Sequence, residues 1–270
     1  MSSIRPLMKD WLPPALMRAV RQLRGKGISF EGNYKTWEDA AARCTGYDAE
    51  SILDKVLEAT LKVKRGEAVF ERDSVLFDEI QYSWPVTAAL MWAAARNQGE
   101  LHVMDFGGSL GSSYFQNRKF LSKLEKLSWT VVEQSRFVEI GKKQISDKDL
   151  KFSSDIDDCC QKFQPNLILL SSVLQYLPDP FALLENLAQK QIGLIVLDRT
   201  PFSNESISGI RIQYVPAEIY SASYPCWFFD QNEIIQKMSS LNYQLIESFD
   251  ALDKLSDQAT WRGLIFEKAE

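Results

Sequence analysis

VMDFGGSLGSS, residues 103–113, is the stretch on which the reading of this chain turns. Val103, Met104 and Phe106 surround one acid, Asp105; glycines follow at 107, 108 and 111, then serines at 112 and 113. A strand, a glycine turn and a helix in this order make a ligand cradle. Glycine has no Cβ, so a ligand can approach the main chain, and the helix that follows points its free N–H groups toward it. A tight structural turn would also want glycine, so the neighbouring sequence has to decide between the two.

Two phosphate signatures fail here. G-x-G-x-x-G counted from Gly107 needs glycine where Ser109 and Ser112 stand, and G-x-x-x-x-G-K-[ST] needs glycine at Ser112 and a lysine after it. What remains is D-x-G-x-x-x-G over Asp105, Gly107 and Gly111. An acid at the strand's end disfavours a phosphate and favours a ligand with positive character. The next apolar run, WTVVEQ, ends in Glu133, 22 residues beyond Gly111. That is close to the spacing of about 20 residues for an acid that binds ribose hydroxyls. A third acid, Asp155, follows the run LKFSS. Three acids ending successive strands beside a glycine turn describe a pocket for a cationic nucleoside, in the crevice where open α/β sheets bind ligands.

Seven strand-like runs can be read from Leu101 onward: LHVMDF, WTVVEQ, LKFSS, NLILLSS, GLIVLDR, YQLIESF and WRGLIFEKA. Helix-like stretches near 114–125, 136–144, 180–189 and 230–240 separate most of them. Short apolar strands alternating with helices predict a mostly parallel sheet covered on both faces. The last two runs have no helix between them, which predicts an antiparallel edge. Upstream, residues 31–98 read as a helical region: Thr36 caps WEDAAARC, Gly66 stops ESILDKVLEATLKVKRG, and Pro85 opens PVTAALMWAAARN. The expected division is a basic segment over 1–30, a helical region over 31–98, and a ligand-binding domain over 99–270.

The chain has 270 residues and a formal net charge of −5, so the whole molecule is not built to hold nucleic acid. Residues 1–30 nevertheless hold six basic side chains and one acid. Within them, WLPPALMRAVRQLR (11–24) is amphipathic and reads either as a peripheral anchor on anionic lipid or as a helix packed on its own domain. Cys44, Cys159, Cys160 and Cys226 have no zinc-type spacing, so no metal site is expected. No signal peptide or membrane-spanning run is legible, which predicts a cytoplasmic protein, at the membrane's inner face if 11–24 is an anchor.

DFGGSLGSSYFQN resembles motif I of the class I S-adenosylmethionine-dependent methyltransferases, and PNLILLSSVLQYLPDP resembles that superfamily's fourth-strand motif. More closely, FEGNYKTWEDA, GYD at 46–48 and FERDSVLFDEIQYSWPVTAAL resemble a family of bacterial methyltransferases found among surface-polysaccharide genes. The resemblance implies a Rossmann-like class I methyltransferase fold, S-adenosyl-L-methionine as cofactor, an EC 2.1.1 activity, and a sugar or surface-polysaccharide precursor as acceptor. It further implies that Gly107, Gly108 and Gly111 pass under the cofactor's methionine part and that Asp105 faces its amino group. Glu133 would take the ribose diol with Gln134 beside it, Asp155 the adenine amine, and Ile156 the ring, while Ser171 and Ser172 lie near the sulfonium. Ser109 departs from the pattern, since many relatives have glycine there; its N–H still serves.

A hydroxyl acceptor needs a base. Asp198, ending GLIVLDR, is the candidate, with pairing to Arg199 as the alternative role. The sole histidine, His102, sits early in its strand and reads as structural. Gln175 and Tyr176 follow the fourth-strand run and would line the acceptor side, unless Tyr176 is core. Residues 200–229 are long for a loop and rich in aromatic and polar groups, among them Phe202, Arg211, Gln213, Tyr214, Tyr220, Tyr224 and Trp227. They read as a lid on the acceptor or as a hairpin packed on the sheet. Arg199, Arg211 and Tyr214 are the further candidates for substrate contact, Arg211 toward a phosphate or carboxylate. The competing functions are an NAD(P)-dependent oxidoreductase or epimerase, disfavoured by the failed G-x-G-x-x-G, and a non-enzymatic relative that binds a partner at the membrane.

Overall fold

A computed structural model of the chain describes residues 27–46, 49–216, 222–253 and 255–269. The amphipathic stretch 11–24, Tyr47 and Asp48 of GYD, and Tyr220 lie outside the described residues.

In chain order the elements begin with β1 (Ser29–Tyr34), α1 (Trp37–Ala41), α2 (Ala49–Arg65), β2 (Phe70–Arg72), β3 (Val75–Phe77) and α3 (Trp84–Arg96). The α/β alternation follows: β4 (Glu100–Phe106), α4 (Ser112–Leu121), β5 (Lys126–Val132), α5 (Ser135–Ile140), β6 (Leu150–Ser153), α6 (Ile156–Phe163), β7 (Leu167–Ser171), α7 (Pro180–Gln189) and β8 (Leu194–Ser203). Last come β9 (Gly209–Val215), β10 (Ala222–Phe228), α8 (Gln231–Ser240), β11 (Tyr243–Asp250) and β12 (Ala259–Lys268). A π-helical turn, Gly141–Ile145, extends α5, and a 3-10 turn, Leu174–Tyr176, follows β7.

The main sheet has seven strands in the order β11-β12-β8-β7-β4-β5-β6. β12 runs antiparallel to both of its neighbours, one place in from the edge, and the pairings from β8 to β6 are parallel. This is the mostly parallel, Rossmann-like seven-stranded sheet expected above. Alternate residues of each buried strand serve the two faces. Val103, Leu169 and Val196 join one core with Leu53, Leu90 and Phe115 from α2, α3 and α4. Met104, Ile168, Leu170 and Leu197 join the other with Leu184, Leu187, Ile234 and Met238 from α7 and α8. Chain order reverses between β4 and β7, so the crevice for a ligand opens over the ends of those two strands.

Two expectations need correction. The region 31–98 is not wholly helical: it contains most of β1 and the β2–β3 hairpin, and the boundary at residue 30 falls inside a strand. Residues 200–229 are not one long loop: of the two readings, a lid or a hairpin packed on the sheet, the described residues have the form of the hairpin. They form the end of β8 and the antiparallel pair β9–β10, and β9 also pairs with β1 to complete a three-stranded sheet. The physical reason is pattern: β9 alternates buried Ile210 and Ile212, which pack with Ala40 of α1, a period-2 signal hidden in a polar, aromatic segment. Elsewhere the local chemistry acts as read. Thr36 accepts from the Asp39 amide at 3.2 Å, and Pro85 lies in the first turn of α3.

Candidate active site at the strand tips

The parallel register brings the functional strand ends side by side. Asp105 pairs with Val131 on β5 and with Leu169 on β7, Val132 pairs with Ser153, and Ser171 with Asp198. The tips are tied together: the Gly107 amide donates to the Val132 carbonyl at 2.9 Å, Glu133 N–H to Ser153 at 3.1 Å, and Ser172 N–H to the Asp198 carbonyl at 2.9 Å.

Asp105 lies beneath the glycine turn with no exposed surface. Trp129 Nε1 donates to its Oδ2 at 3.0 Å, and its Oδ1 has no partner. Burial pushes its pKa to about 7, against the Trp129 hydrogen bond, and the nearby Glu133 carboxylate pushes the same way. A Cβ on Gly108 would stand 2.7 Å from Asp105 Oδ1, so the acid's contact with the turn is itself what requires glycine there. Gly107 and Gly111 take φ of +70° and +93°. Their added Cβ atoms would meet Val173 and Leu150. The glycines are thus demanded by packing from below as well as available to a ligand from above.

Glu133 ends β5 half-buried, accepts from the Gln134 amide, and has its pKa raised by burial. Gln134 is exposed as the residue before α5. Asp155 is the N-cap of α6: its Oδ1 accepts from the Asp158 amide at 2.7 Å, leaving the other oxygen for a ligand. Ile156 is partly buried beside it. Ser109, Ser172 and Arg199 take φ of +54°, +56° and +54°. Ser109 and Ser172 follow the ends of β4 and β7, and Arg199 lies next to Asp198 on β8.

Asp198 is 6% exposed. Ser171 Oγ donates to its Oδ2 at 2.9 Å, and Oδ1 has no partner. Burial raises its pKa, opposed by the Arg199 charge and the Ser171 hydroxyl. Its expected alternative, an ion pair with Arg199, does not form; the Arg199 guanidinium turns away to Asp253 at 2.7 Å and Asp73 at 2.6 Å. Those two carboxylates pair with Arg199, which also lines the hollow at the strand tips.

Gln175 is fully buried and donates to Ser172 Oγ and to the Arg199 carbonyl. Tyr176 donates to Gln213 Oε1 at 2.9 Å, and Gln213 Nε2 donates to Tyr224, so β9 and β10 are bonded to the strand-end turn. Two candidates are elsewhere. Arg211 bonds Asn33 Oδ1 at 2.7 Å and lies over the Phe228 ring, held within the small sheet. Tyr214 alternates with Gln213 and so faces away from Tyr176, toward Glu31, Tyr34 and Cys44. His102 lies at the far end of the sheet, in a groove with Arg96 and Lys162.

A hollow of about 30 Å³, room for about one water molecule, lies at the tips between Ser112 and Gln116 of α4, Ser171, Asp198 and Arg199. Phe70 and Arg72 of the β2–β3 hairpin also line it. This contribution was not anticipated. Glu71, between them, is 1% exposed, accepts from Ser112 Oγ, and leaves Oε2 without a partner. The signal available was FERDSV, a run of charges in a short strand, which reads as a solvated face when taken alone.

Three buried carboxylates here each keep an oxygen without a partner: Asp105 Oδ1, Asp198 Oδ1 and Glu71 Oε2. An unpaired buried acceptor is costly, and a ligand that brings donors or positive charge relieves it. These acceptors favour a ligand that carries hydrogen-bond donors or positive charge.

No family model matches the chain, and no curated protein matches it in sequence. Among solved structures it is similar to the N-terminal domain of EvdMO1 in the presence of SAH and D-fucose: 13% identity, 80% of this chain and 97% of that one, TM-score 0.47. It is similar to magnesium protoporphyrin IX methyltransferase (ChlM) from Synechocystis PCC 6803 with bound SAM: 11% identity, 83% and 99% coverage, TM-score 0.46. A third likeness is the LepI complex with SAM: 12% identity, 82% and 65% coverage, TM-score 0.47. At this level these likenesses say nothing of what this chain binds or acts on.

Proposed function

We propose that this chain is an S-adenosylmethionine-dependent methyltransferase acting on a sugar or surface-polysaccharide precursor. The observation that carries the cofactor half is that Asp105, Glu133 and Asp155 stand at the tips of the neighbouring strands β4, β5 and β6 beside the glycine turn, Asp105 keeping a buried oxygen unpaired. Glu133 would hold the ribose hydroxyls, the free oxygen of Asp155 the adenine amine, Ile156 the ring, and the turn from Gly107 to Gly111 the methionine part. When bound, the cofactor supplies an activated methyl group on a positively charged sulfur.

The chain's own task is then position, a dry site and a proton acceptor. Asp198 suits the last role. It lines the hollow, keeps Oδ1 free, and is held by Ser171, while burial raises its proton affinity toward the working range of a general base. Asp198 Oδ1 would take the proton of a hydroxyl acceptor as its oxygen gains the methyl group; the carbon–sulfur bond is the one broken, and a neutral thioether would leave. Tyr176 packs against the cluster of Phe30, Cys226 and Phe228 and, bonded to Gln213, holds β9 to the strand-end turn. The sugar or polysaccharide acceptor rests on the sequence resemblance. A membrane contact through 11–24 would present a lipid-linked form of it at the inner face.

The test is methyl transfer from radiolabelled S-adenosylmethionine to a panel of nucleotide-sugars and lipid-linked sugars. Label should enter one acceptor class. Asp198→Asn should lower turnover by about 10²–10⁴-fold, the usual contribution of a positioned base, while cofactor binding persists. Undiminished turnover in that variant removes Asp198 from the role, and label in no glycan removes the acceptor class.

A further inference from the structure

We infer that Glu71, carried in by the β2–β3 hairpin, is the group that binds the α-ammonium of the cofactor's amino-acid end. This rests on the reading that the hollow takes S-adenosylmethionine. The resemblance gives the amino group to Asp105, but Asp105 lies under the turn, in contact with the Cα of Gly108 and bonded to Trp129. It can stiffen the turn, yet the Gly108 backbone lies against it on one side. Glu71 comes from a different element. Its Oε1 is fixed by the hydroxyl of Ser112, the first residue of α4 and the one directly after Gly111. Its Oε2 has no partner although the residue is 1% exposed.

The position also suits a zwitterion. The start of α4 presents backbone N–H groups that attract a carboxylate. Glu71 beside the same turn supplies the opposite charge, so an α-amino acid finds a donor set and an acceptor together. Asp198 is less suited to the ammonium because it stands on β8, on the far side of β7 from the turn. The nearby cations Arg199 and Arg72 are offset by the carboxylates of Asp73 and Asp253, with Asp253 shared between them. Asp73 sits at the hairpin's own tip, where φ of +52° and +66° at Asp73 and Ser74 make a two-residue turn with both central residues left-handed. That turn fixes the register that puts Phe70 opposite Phe77 and Glu71 opposite Leu76.

The experiment is a cycle between one protein group and one ligand group. S-adenosylhomocysteine and its deamino analogue, which lacks only the ammonium, are titrated calorimetrically into the wild-type chain and into Glu71→Gln. Glutamine keeps an acceptor for Ser112. Wild type should prefer S-adenosylhomocysteine by about 10- to 100-fold, the range for a hydrogen bond to a charged group. Glu71→Gln should lose most of that preference while binding the deamino analogue as wild type does. If Glu71→Gln does not fold, Glu71→Asp, which retracts the charge by one methylene, should shrink the preference in the same way. Equal preference in wild type and variant overturns the assignment and leaves the cofactor reading standing. Failure of wild type to bind either nucleoside overturns both.

Discussion

Gly107 adopts φ +70°, and a Cβ on it would lie 2.8 Å from Val173 Cβ. Gly107→Val should therefore unfold the turn as well as block the cofactor, and the free protein should melt at a lower temperature. A loss of about 1–3 kcal/mol is the scale for a strained backbone of this kind. Unchanged melting would contradict the packing account of that glycine. Ser109 makes the converse case: at φ +54° it holds a conformation that glycine adopts freely. Ser109→Gly should raise stability, by up to about 1 kcal/mol after the entropy of glycine is set against the relief. Thermal unfolding of the two variants checks both. The buried acids give a pH dependence. Glu71 rises from 4.5 and Asp105 from 3.8, both to about 7 and chiefly by burial. The folded state thus holds more protons than the unfolded one between those limits, so the free protein loses stability as pH rises from about 4 to about 7. Asp253, whose pKa is lowered in the field of Arg199 and Arg72 despite burial, contributes in the opposite sense at lower pH. A melting series across this range should slope downward, and Glu71→Gln should flatten it.

The β2–β3 hairpin is held to the sheet edge by charge. Arg199 is 15% exposed and bridges Asp253, 7% exposed, and Asp73, 59% exposed. Removing the buried partner leaves a poorly solvated guanidinium, so Asp253→Asn should cost about 3–5 kcal/mol in urea unfolding. Asp73→Asn, at the solvated hairpin tip, should cost about 1 kcal/mol or less. Equal losses would mean that burial does not rank these pairs. This element also shows where the sequence stops being informative. The strand-turn-helix at 103–113 was legible because period, glycine and acid all agree over one short window. Glu71 was not, because its partner Ser112 is 41 residues away and only tertiary packing makes them neighbours. The partners of Arg199 and Arg211 were hidden for the same reason: an arginine's partner is set by the fold, and Asp253 and Asn33 lie far off in the chain. Tyr214 was misplaced because, with its strand unrecognised, the alternation that sends it away from Tyr176 was invisible.

Across the whole molecule, the sheet order puts the change of chain direction between β4 and β7, directly under the glycine turn. Two apolar cores cover the two faces of the strands, and Asp105 and Asp198 at the strand tips and Glu71 on the hairpin each keep a buried oxygen without a partner. The fold was readable from the alternation of apolar runs and helices; the small β1–β9–β10 sheet was not, because it joins strands from opposite ends of the chain. Cofactor binding should draw protons off these acids, since a cation favours their ionised forms. The measurement closest to the central claim is calorimetric titration of S-adenosylmethionine and of NAD, below neutral pH, in two buffers of different ionisation enthalpy. One site for S-adenosylmethionine, with protons released to the buffer and an affinity at least about tenfold weaker in Glu133→Ala, is the predicted result. Preference for NAD, or binding indifferent to Glu133 and with no protons released, would contradict it.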